Sequence, residues 1–521
     1  MLLVLYAGNL SGQALESLKN GKSSFEMALE QVRKISGINK IVILEGNLPL
    51  PMVDKDIQTI KKDFWSVNDL LETLISLSAG FDHICFAWAD CPFLDPGLAE
   101  KLIERHIRYA AEYSYADGWP YGLAVELLLP SAAVYLKKLA DKDNDKNEKA
   151  PVTRDMLFSV IQKDINAFDI ETEISSIDLR CHRLNLCADS KRNHLLLRRF
   201  LDANKGEIPD TSAVEKIIAE KPDILRTLPA FYPIQVFEGC PQSCKFCPWP
   251  IIEKNVTEKR GFMEAAIFES ILDKIIDFSG DAVIDLSLWG ELALHPKKLE
   301  LIEMVLRRSG LSLVIETSGI GWKDSELEAC SQMAEKYKAN STNSLCEKFS
   351  WIVSLDSADP KRYMEIRGAG FAEANACAKK LFSLFPNDTY VQAVRTAGDE
   401  DDIEKFFRSW KEALGDVKNI IVQKYDDFCG LLPKKQASDL SPVERKPCWH
   451  LMRDMPVLLD GTVPLCRQSG EIILGNVLTE PLDLIWERGQ KNYLQQAGLF
   501  PGIEKYNSLC AGCDEYYTFN F

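Results

Sequence analysis

The stretch Gly239–Trp249 reads GCPQSCKFCPW and sets three cysteines, Cys240, Cys244 and Cys247, within eight residues. Thiolates bind soft metals and iron–sulfur clusters. Three ligands on a cubane leave one iron without a protein ligand, where a substrate or cofactor can coordinate. A structural zinc site closes with four. A second set follows near the end of the chain. Cys448 and Cys466 have the form C-x12-G-x4-C around Gly461, and Cys510 and Cys513 form C-x2-C. Four cysteines satisfy a complete cubane or a zinc ion, and either would staple a segment of some eighty residues, 440–521, that is too small to hold itself together by its core alone. Gly461 lies in a D-G turn, and the spacing predicts a hairpin of PVLL and TVPL around it.

The elements that must position these thiols are legible as a strand–helix rhythm. In 230–432, IQVFEG precedes the cysteines. Strands follow at 282–290, 311–319, 351–357, 389–396 and in NIIVQKY, and helices at 263–278, 297–308, 324–337, 371–384 and from Asp401. Ile267, Ile271 and Ile275 mark one helical face, and Ile403, Phe406, Phe407, Trp410 and Leu414 another. Six strand–helix units predict a partial (β/α)6 barrel, with reactive groups at the C-terminal strand ends. In 1–205, the runs LLVLYAG, INKIVILEG and HICFAWAD alternate with helical patterns at 23–36, 67–78 and 97–113, which predicts an open parallel sheet. Residues 206–229 read as a linker.

The chain has 521 residues, so more than one core is expected. With 46% apolar and 26% charged residues it reads as globular. The net charge of −16 argues against nucleic acid or an anionic membrane as a general partner. The N-terminus is apolar for only about six residues, and no later run approaches the ~18 that a spanning helix needs. A cytoplasmic protein is expected, in which fifteen cysteines pose a metal or redox question and not a disulfide framework. Eight of them, Cys85, Cys91, Cys181, Cys187, Cys330, Cys346, Cys377 and Cys429, lack ligand spacing and read as small buried hydrophobes. In RCHRLNLC, where His182 stands between Cys181 and Cys187, a metal pair is the alternative. DKDNDKNEKA (141–150) begins like a calcium loop but has Lys146 for the glycine and Val152 for the glutamate, so it reads as a solvated loop.

C-x3-C-x2-C with an aromatic, Phe246, before the third cysteine resembles the radical S-adenosylmethionine (SAM) superfamily. LSLWGELALHP sits where that family has Gly-Gly-Glu: Gly290 and Glu291 match, and Trp289 replaces the first glycine. VIETSG resembles its Thr-Asn-Gly turn, with Thr317 in place and Ser318 for the asparagine. VSLDS (353–357) and MEIRGAGF (364–371) resemble the fourth strand and the segment after it. The resemblance implies a cofactor-binding set of Phe246, Gly290, Glu291, Thr317, Ser354, Asp356 and Arg367, with Arg367 on the SAM carboxylate. It also implies an oxygen-sensitive [4Fe–4S] cluster on Cys240, Cys244 and Cys247, reductive cleavage of SAM to a 5′-deoxyadenosyl radical, and hydrogen abstraction from a small-molecule, nucleotide-linked or peptide substrate. An external one-electron donor such as a flavodoxin or ferredoxin is the implied partner. No catalytic acid or base is assigned.

The later cysteines, with Gly475 and Asn476 in ILGNVLTEPLDLIW, resemble the SPASM/twitch extension of those enzymes and imply a second, auxiliary [4Fe–4S] cluster, with structural zinc as the alternative. ADCPFLDPGLAEKLIERH (89–106) resembles nucleotidyltransferases of the glycosyltransferase-A type. That implies Asp90 as ligand of a divalent metal such as Mg2+, Lys22 near phosphate, and Asp189 on a late strand. The first loop, AGNLSGQ, has no basic residue for a triphosphate, so a degenerate binding domain is expected ahead of an active transferase. The order of the three blocks is similar to the spirochaete spiro-SPASM proteins. Two other functions stay open at this point: a metal scaffold without SAM chemistry, and an active nucleotidyltransferase with a regulatory barrel.

Overall fold

The structure, a computed structural model, describes residues 1–142, 151–253, 261–338, 348–415, 417–442, 445–468, 470–496 and 508–518. Residues 143–150 of the calcium-like loop, and Cys346, lie outside the described residues. The chain divides into two compact units, Met1–Thr227 and Leu228–Phe521. No helix among the described residues is long and apolar enough to cross a membrane.

The first unit is built on β1 (Leu2–Ala7), a small hairpin of β2 (Ser17–Lys19) and β3 (Lys22–Ser23), then β4 (Lys40–Glu45), β5 (Gln58–Lys61), β6 (Ile84–Trp88), β7 (Tyr113–Asp117), β8 (Glu126–Leu128) and β9 (Ile170–Ile174). Seven of these form a sheet in the order β5-β4-β1-β6-β8-β7-β9, parallel except for β8, which runs against both neighbours. The short β7–β8 connection suits an antiparallel pair, whereas parallel neighbours need a crossover. β1 is buried on both faces: Leu2, Val4 and Tyr6 enter one apolar layer, and Leu3, Leu5 and Ala7 the other. That explains its unbroken apolar run. Ser23 with Glu26 and Ser66 with Asp69 form capping boxes for the helices Ser24–Val32 and Val67–Leu77. The stretch read as a linker, 206–229, holds the helix Thr211–Glu220, and the first unit continues through Thr227.

The second unit contains six parallel strands in simple order, β10 (Phe231–Pro233), β11 (Ala282–Asp285), β12 (Leu311–Thr317), β13 (Phe349–Ser354), β14 (Thr389–Arg395) and β15 (Ile420–Lys424). The crossover helices include Ala265–Ser279, Lys298–Leu306, Asp324–Lys338, Phe371–Leu384 and Glu400–Leu414. This is the partial barrel that the rhythm predicts. Strand alternation sorts its side chains. Leu311, Leu313 and Ile315 pack outward with the helices. Phe231, Val283, Val314 and Ile352, with Tyr390 and Ile421, form an apolar inner layer with one residue from each strand. Two residues further along, the inner positions of β11–β14 turn polar, as Asp285, Glu316, Ser354 and Gln392.

The first strand differs from the expectation. The ladder covers Phe231–Pro233, and IQVFEG continues only through single bridges, Ile234 to Val457, Phe237 to Phe262 and Gly239 to Gly290. The reason is where its bonds go. Val457 N–H donates to the Pro233 carbonyl at 2.8 Å, and Gln235 N–H to that of Val457 at 2.8 Å. PVLL therefore lies along the barrel's open edge, and it also joins TVPL at the turn, where Leu458 N–H donates to the Thr462 carbonyl at 2.8 Å and Gly461 N–H to that of Leu458 at 2.9 Å. TVPL supplies β16 (Thr462–Pro464), which pairs antiparallel with β17 (Ile473–Asn476). The turn itself is present, with Gly461 at φ 83°.

Candidate functional site

The three-cysteine loop leaves the barrel at the end of the first strand and is fixed at both ends. On one side Gly239 bridges Gly290, and Glu291 N–H donates to the Gly239 carbonyl at 2.9 Å. Gly290 is required there, because a Cβ would stand 1.8 Å from the Phe237 carbonyl oxygen. On the other side Lys245 N–H donates to the Ile366 carbonyl at 2.9 Å and Ser243 N–H to that of Arg367 at 3.3 Å. Gln242 is the internal brace: its Nε2 donates to the Tyr363 hydroxyl at 2.7 Å, and its Oε1 accepts from Arg367 Nε at 2.9 Å. Burial pushes the Cys240 thiol up to about 12 and the Cys247 thiol up to about 11. Cys244 is also raised by burial, with Arg367 opposing. Buried thiols of this kind stay protonated near neutrality unless a metal takes them as thiolates. The donor set thus fits a soft metal cluster.

Arg367 and Asp356 form a buried pair beside the loop. Burial works against the guanidinium, yet Cys244 and Asp356 hold its pKa above the ordinary value. Asp356 takes a left-handed backbone, φ 62°, and its second oxygen accepts from Val394 N–H at 2.7 Å. The Arg367 guanidinium lies 5.9 Å from the centre of the Phe246 ring. Ser354 Oγ donates to Glu316 at 2.9 Å, and Gln392 Nε2 donates to the same carboxylate at 2.8 Å.

Glu291 and Thr317 are brought together. The Glu291 carboxylate accepts from Thr317 Oγ1 at 2.7 Å and from the Ser318 amide at 2.8 Å and hydroxyl at 2.7 Å. Thr317 Oγ1 in turn accepts from Gly319 N–H and Trp322 Nε1, each at 3.1 Å. Burial raises the Glu291 carboxyl, and these donors oppose it. The knot ties the end of β12 to the start of the cysteine loop. Trp289, which replaces the family's first glycine, sits at φ 51° with its ring 5.6 Å from that of Phe428.

The four later cysteines also meet. Cys448 is buried, and its thiol is raised by that burial and by the nearby Cys466, Cys513 and Cys510. Gly475–Asn476 clamp the Gly461 turn: Asn476 Nδ2 donates to the Asp460 carbonyl at 2.9 Å and Val477 N–H to that of Gly461 at 2.9 Å. The SPASM family, an iron–sulfur cluster-binding domain, matches residues 448–514. The chain carries a SPASM domain. It is 35% identical over 376 residues to an uncharacterized protein of Treponema pallidum (strain Nichols), covering 70% of this chain and 98% of that one, and the two belong to one family. Among solved structures, anSMEcpe with bound AdoMet is 16% identical, with a TM-score of 0.39 over 52% of this chain and 84% of that one. Streptococcus suis SuiB bound to precursor peptide SuiA is 15% identical, with a TM-score of 0.41 over 75% and 88%. Likenesses this weak carry no activity over.

The first unit treats Asp90 differently from the expectation. Asp90 and Asp189 do come together, but a guanidinium stands between them. Arg154 pairs with Asp90 and lies 3.2 Å from Asp189, with its guanidinium 5.2 Å from the Trp88 ring centre and 5.4 Å from that of Tyr121. The position expected for a divalent cation is taken by a side chain, so the pair as it stands does not fit Mg2+. Lys22 pairs with Glu30 at 2.6 Å. Cys181 is exposed and so is not the small buried hydrophobe expected, whereas Cys187 is buried as expected, 3.2 Å from Cys91.

Sequence reasoning missed Gln242, Glu316, Gln392 and Arg154. Glu316 had a signal, since it follows Val314 on the inner face of β12. Gln242 and Arg154 had none, because their partners are distant in sequence.

Proposed function

We propose that this protein uses a [4Fe–4S] cluster on Cys240, Cys244 and Cys247 to cleave SAM reductively, and abstracts hydrogen from a small-molecule, nucleotide-linked or peptide substrate. The observation that carries the reading is the three-thiol loop pinned between Gly290 and Arg367 at the C-terminal end of the barrel strands. When bound, the cluster supplies one electron that breaks a carbon–sulfur bond of the SAM sulfonium and yields the 5′-deoxyadenosyl radical. The chain's own groups bind and orient. Arg367 balances the charge of Cys244 and Cys247, and the Glu291–Thr317–Ser318 knot fixes the strand ends around the cofactor. Asp285, Glu316, Ser354 and Gln392 line the barrel mouth as the polar surface for substrate. Arg467, from the SPASM segment, is in electrostatic contact with Glu316 and Asp285, which favours that segment as a wall of the same site.

Cys448, Cys466, Cys510 and Cys513 hold an auxiliary [4Fe–4S] cluster in this reading, and an external flavodoxin- or ferredoxin-type donor supplies the electron in the cytoplasm. The first unit is a transferase-like binding domain without transfer activity, a reading supported by Arg154 on Asp90 and Asp189.

Anaerobic reconstitution with iron and sulfide tests this. About eight irons per chain are expected from two cubanes, with 5′-deoxyadenosine formed on reduction with SAM. Cys240→Ala should remove about half of the iron and all of the 5′-deoxyadenosine. Zinc alone, or clusters that leave SAM intact, overturns the proposal.

A further inference from the structure

Asp90 has neighbours besides Arg154. Cys91 and Cys187 stand beside it, 1% and 0% exposed, with their sulfurs 3.2 Å apart. Cys91 Sγ lies 3.7 Å from Asp90 Oδ1, and one ligand atom from each of the three residues falls within 4.8 Å of the others. Backbone bonds hold them there. Ala188 N–H donates to the Asp90 carbonyl at 2.9 Å, and Leu186 N–H to that of Tyr121 at 2.9 Å, so Cys187 is fixed on both sides. Ser11 Oγ donates to the Ala188 carbonyl at 2.7 Å. Cys91 N–H donates to the Trp88 carbonyl at 3.4 Å, in the turn that follows β6. Gly122 is required for this approach: it takes φ 102°, and a Cβ there would stand 2.7 Å from the Leu186 carbonyl oxygen and 3.2 Å from Cys187 Sγ.

We propose that Cys91, Cys187 and Asp90 bind one zinc ion through two thiolates and a carboxylate oxygen, with water as the fourth ligand. Two sulfurs at ~2.3 Å from a tetrahedral zinc stand ~3.8 Å apart, and a sulfur and an oxygen ~3.5 Å. The two separations in the structure, 3.2 Å and 3.7 Å, lie close to those values, whereas a disulfide needs ~2.05 Å. Thiolates select zinc over magnesium, so this donor set differs from the Asp90–Asp189 pair that Arg154 spans. The charges close as well. Three anionic ligands exceed the ion by one, and Arg154 on Asp90 supplies the balancing cation, as an outer partner that orients a ligating carboxylate. Binding releases the two thiol protons to solvent, and no electron moves. The ion would tie the turn after β6 to the segment ahead of the helix Lys191–Ala203. The site is independent of the SAM chemistry proposed above.

The test uses the full chain after anaerobic loading with iron and sulfide. The unsubstituted protein, Cys91→Ala and Cys187→Ala are dialysed against the same zinc buffer, and zinc and iron per chain are measured. Either substitution should lower zinc by one ion per chain and leave iron unchanged. Zinc held at the cluster cysteines is common to all three and cancels. X-ray absorption at the zinc edge, taken as the difference between the unsubstituted protein and Cys187→Ala, should show two sulfurs at ~2.3 Å and oxygen at ~2.0–2.2 Å. Zinc should also raise the thermal midpoint of the first unit in the unsubstituted chain and not in the variants. Where a substitution unfolds the first unit, that midpoint in the unsubstituted chain decides, and an unshifted value overturns the proposal. Equal zinc in all three overturns it, and so does a Cys91–Cys187 disulfide in a non-reduced digest of the anaerobic protein, which would make the two a redox pair.

Discussion

Gly290→Ala isolates the geometry on which the proposed first cluster depends. Gly290 does not lie in the left-handed region, so alanine meets no backbone penalty, and the effect is steric. The new Cβ would be 1.8 Å from the Phe237 carbonyl oxygen, a backbone atom that no rotamer change can move aside. Contact between non-bonded atoms needs well over 3 Å, so the two strand ends must part by more than ~1 Å. That separation breaks the 2.9 Å bond from Glu291 N–H to the Gly239 carbonyl, one residue before Cys240. Overpacking costs about 1–3 kcal/mol and the lost hydrogen bond about 1 more. A total near 2–4 kcal/mol is smaller than the stability of most domains, so the unit stays folded. Cys244 and Cys247 remain held on Ile366 and Arg367 while Cys240 moves away from them. Metal–sulfur distances tolerate only about 0.2 Å, so the first cluster should be lost while the auxiliary one stays. The assay is iron per chain with electron paramagnetic resonance of reduced protein, with and without SAM, alongside the thermal midpoint. Full iron and undiminished 5′-deoxyadenosine formation in Gly290→Ala would refute the reasoning.

Arg367→Met leaves Asp356 buried without its cation, at a cost of about 3–5 kcal/mol, and frees the brace at Gln242. Denaturant unfolding and iron content of the first site should both fall. Arg154→Met leaves Asp90 and Asp189 facing each other, so the first unit should lose a similar amount in thermal or urea unfolding, while Mg2+ added to the unsubstituted chain should not shift its midpoint. His106 is fully buried, with Nδ1 on Ser114 Oγ at 2.8 Å and no hydrogen-bond partner at Nε2. Burial, helped by the nearby His83, lowers its pKa to about 4. Between about pH 6.5 and 4 the unfolded chain binds the proton and the folded chain does not. This contribution is therefore complete above pH 6.5 and is lost as pH falls toward 4, by up to ~3 kcal/mol. His106→Gln should flatten that part of the first unit's stability–pH curve measured by urea unfolding.

The sequence by itself determined most of the barrel elements and marked the two cysteine sets. Periodicity placed the barrel helices close to where they lie, and cysteine spacing marked both sulfur sets, because ligands on one loop, and strands of period two, leave local signals. Tertiary structure decided what those groups do. Asp90 and Asp189 were legible as a pair of acids, but Arg154, whose sequence neighbours give no hint of its target, takes the cation position. PVLL read as half of a hairpin, and only the open barrel edge shows that it pairs with the first strand as well. Glu291 matched a motif, yet its oxygens are committed to Thr317 and Ser318 on the next strand. Covalent neighbours fix spacing and period, whereas the partner of a buried charge or thiol is chosen by packing between segments far apart in the chain.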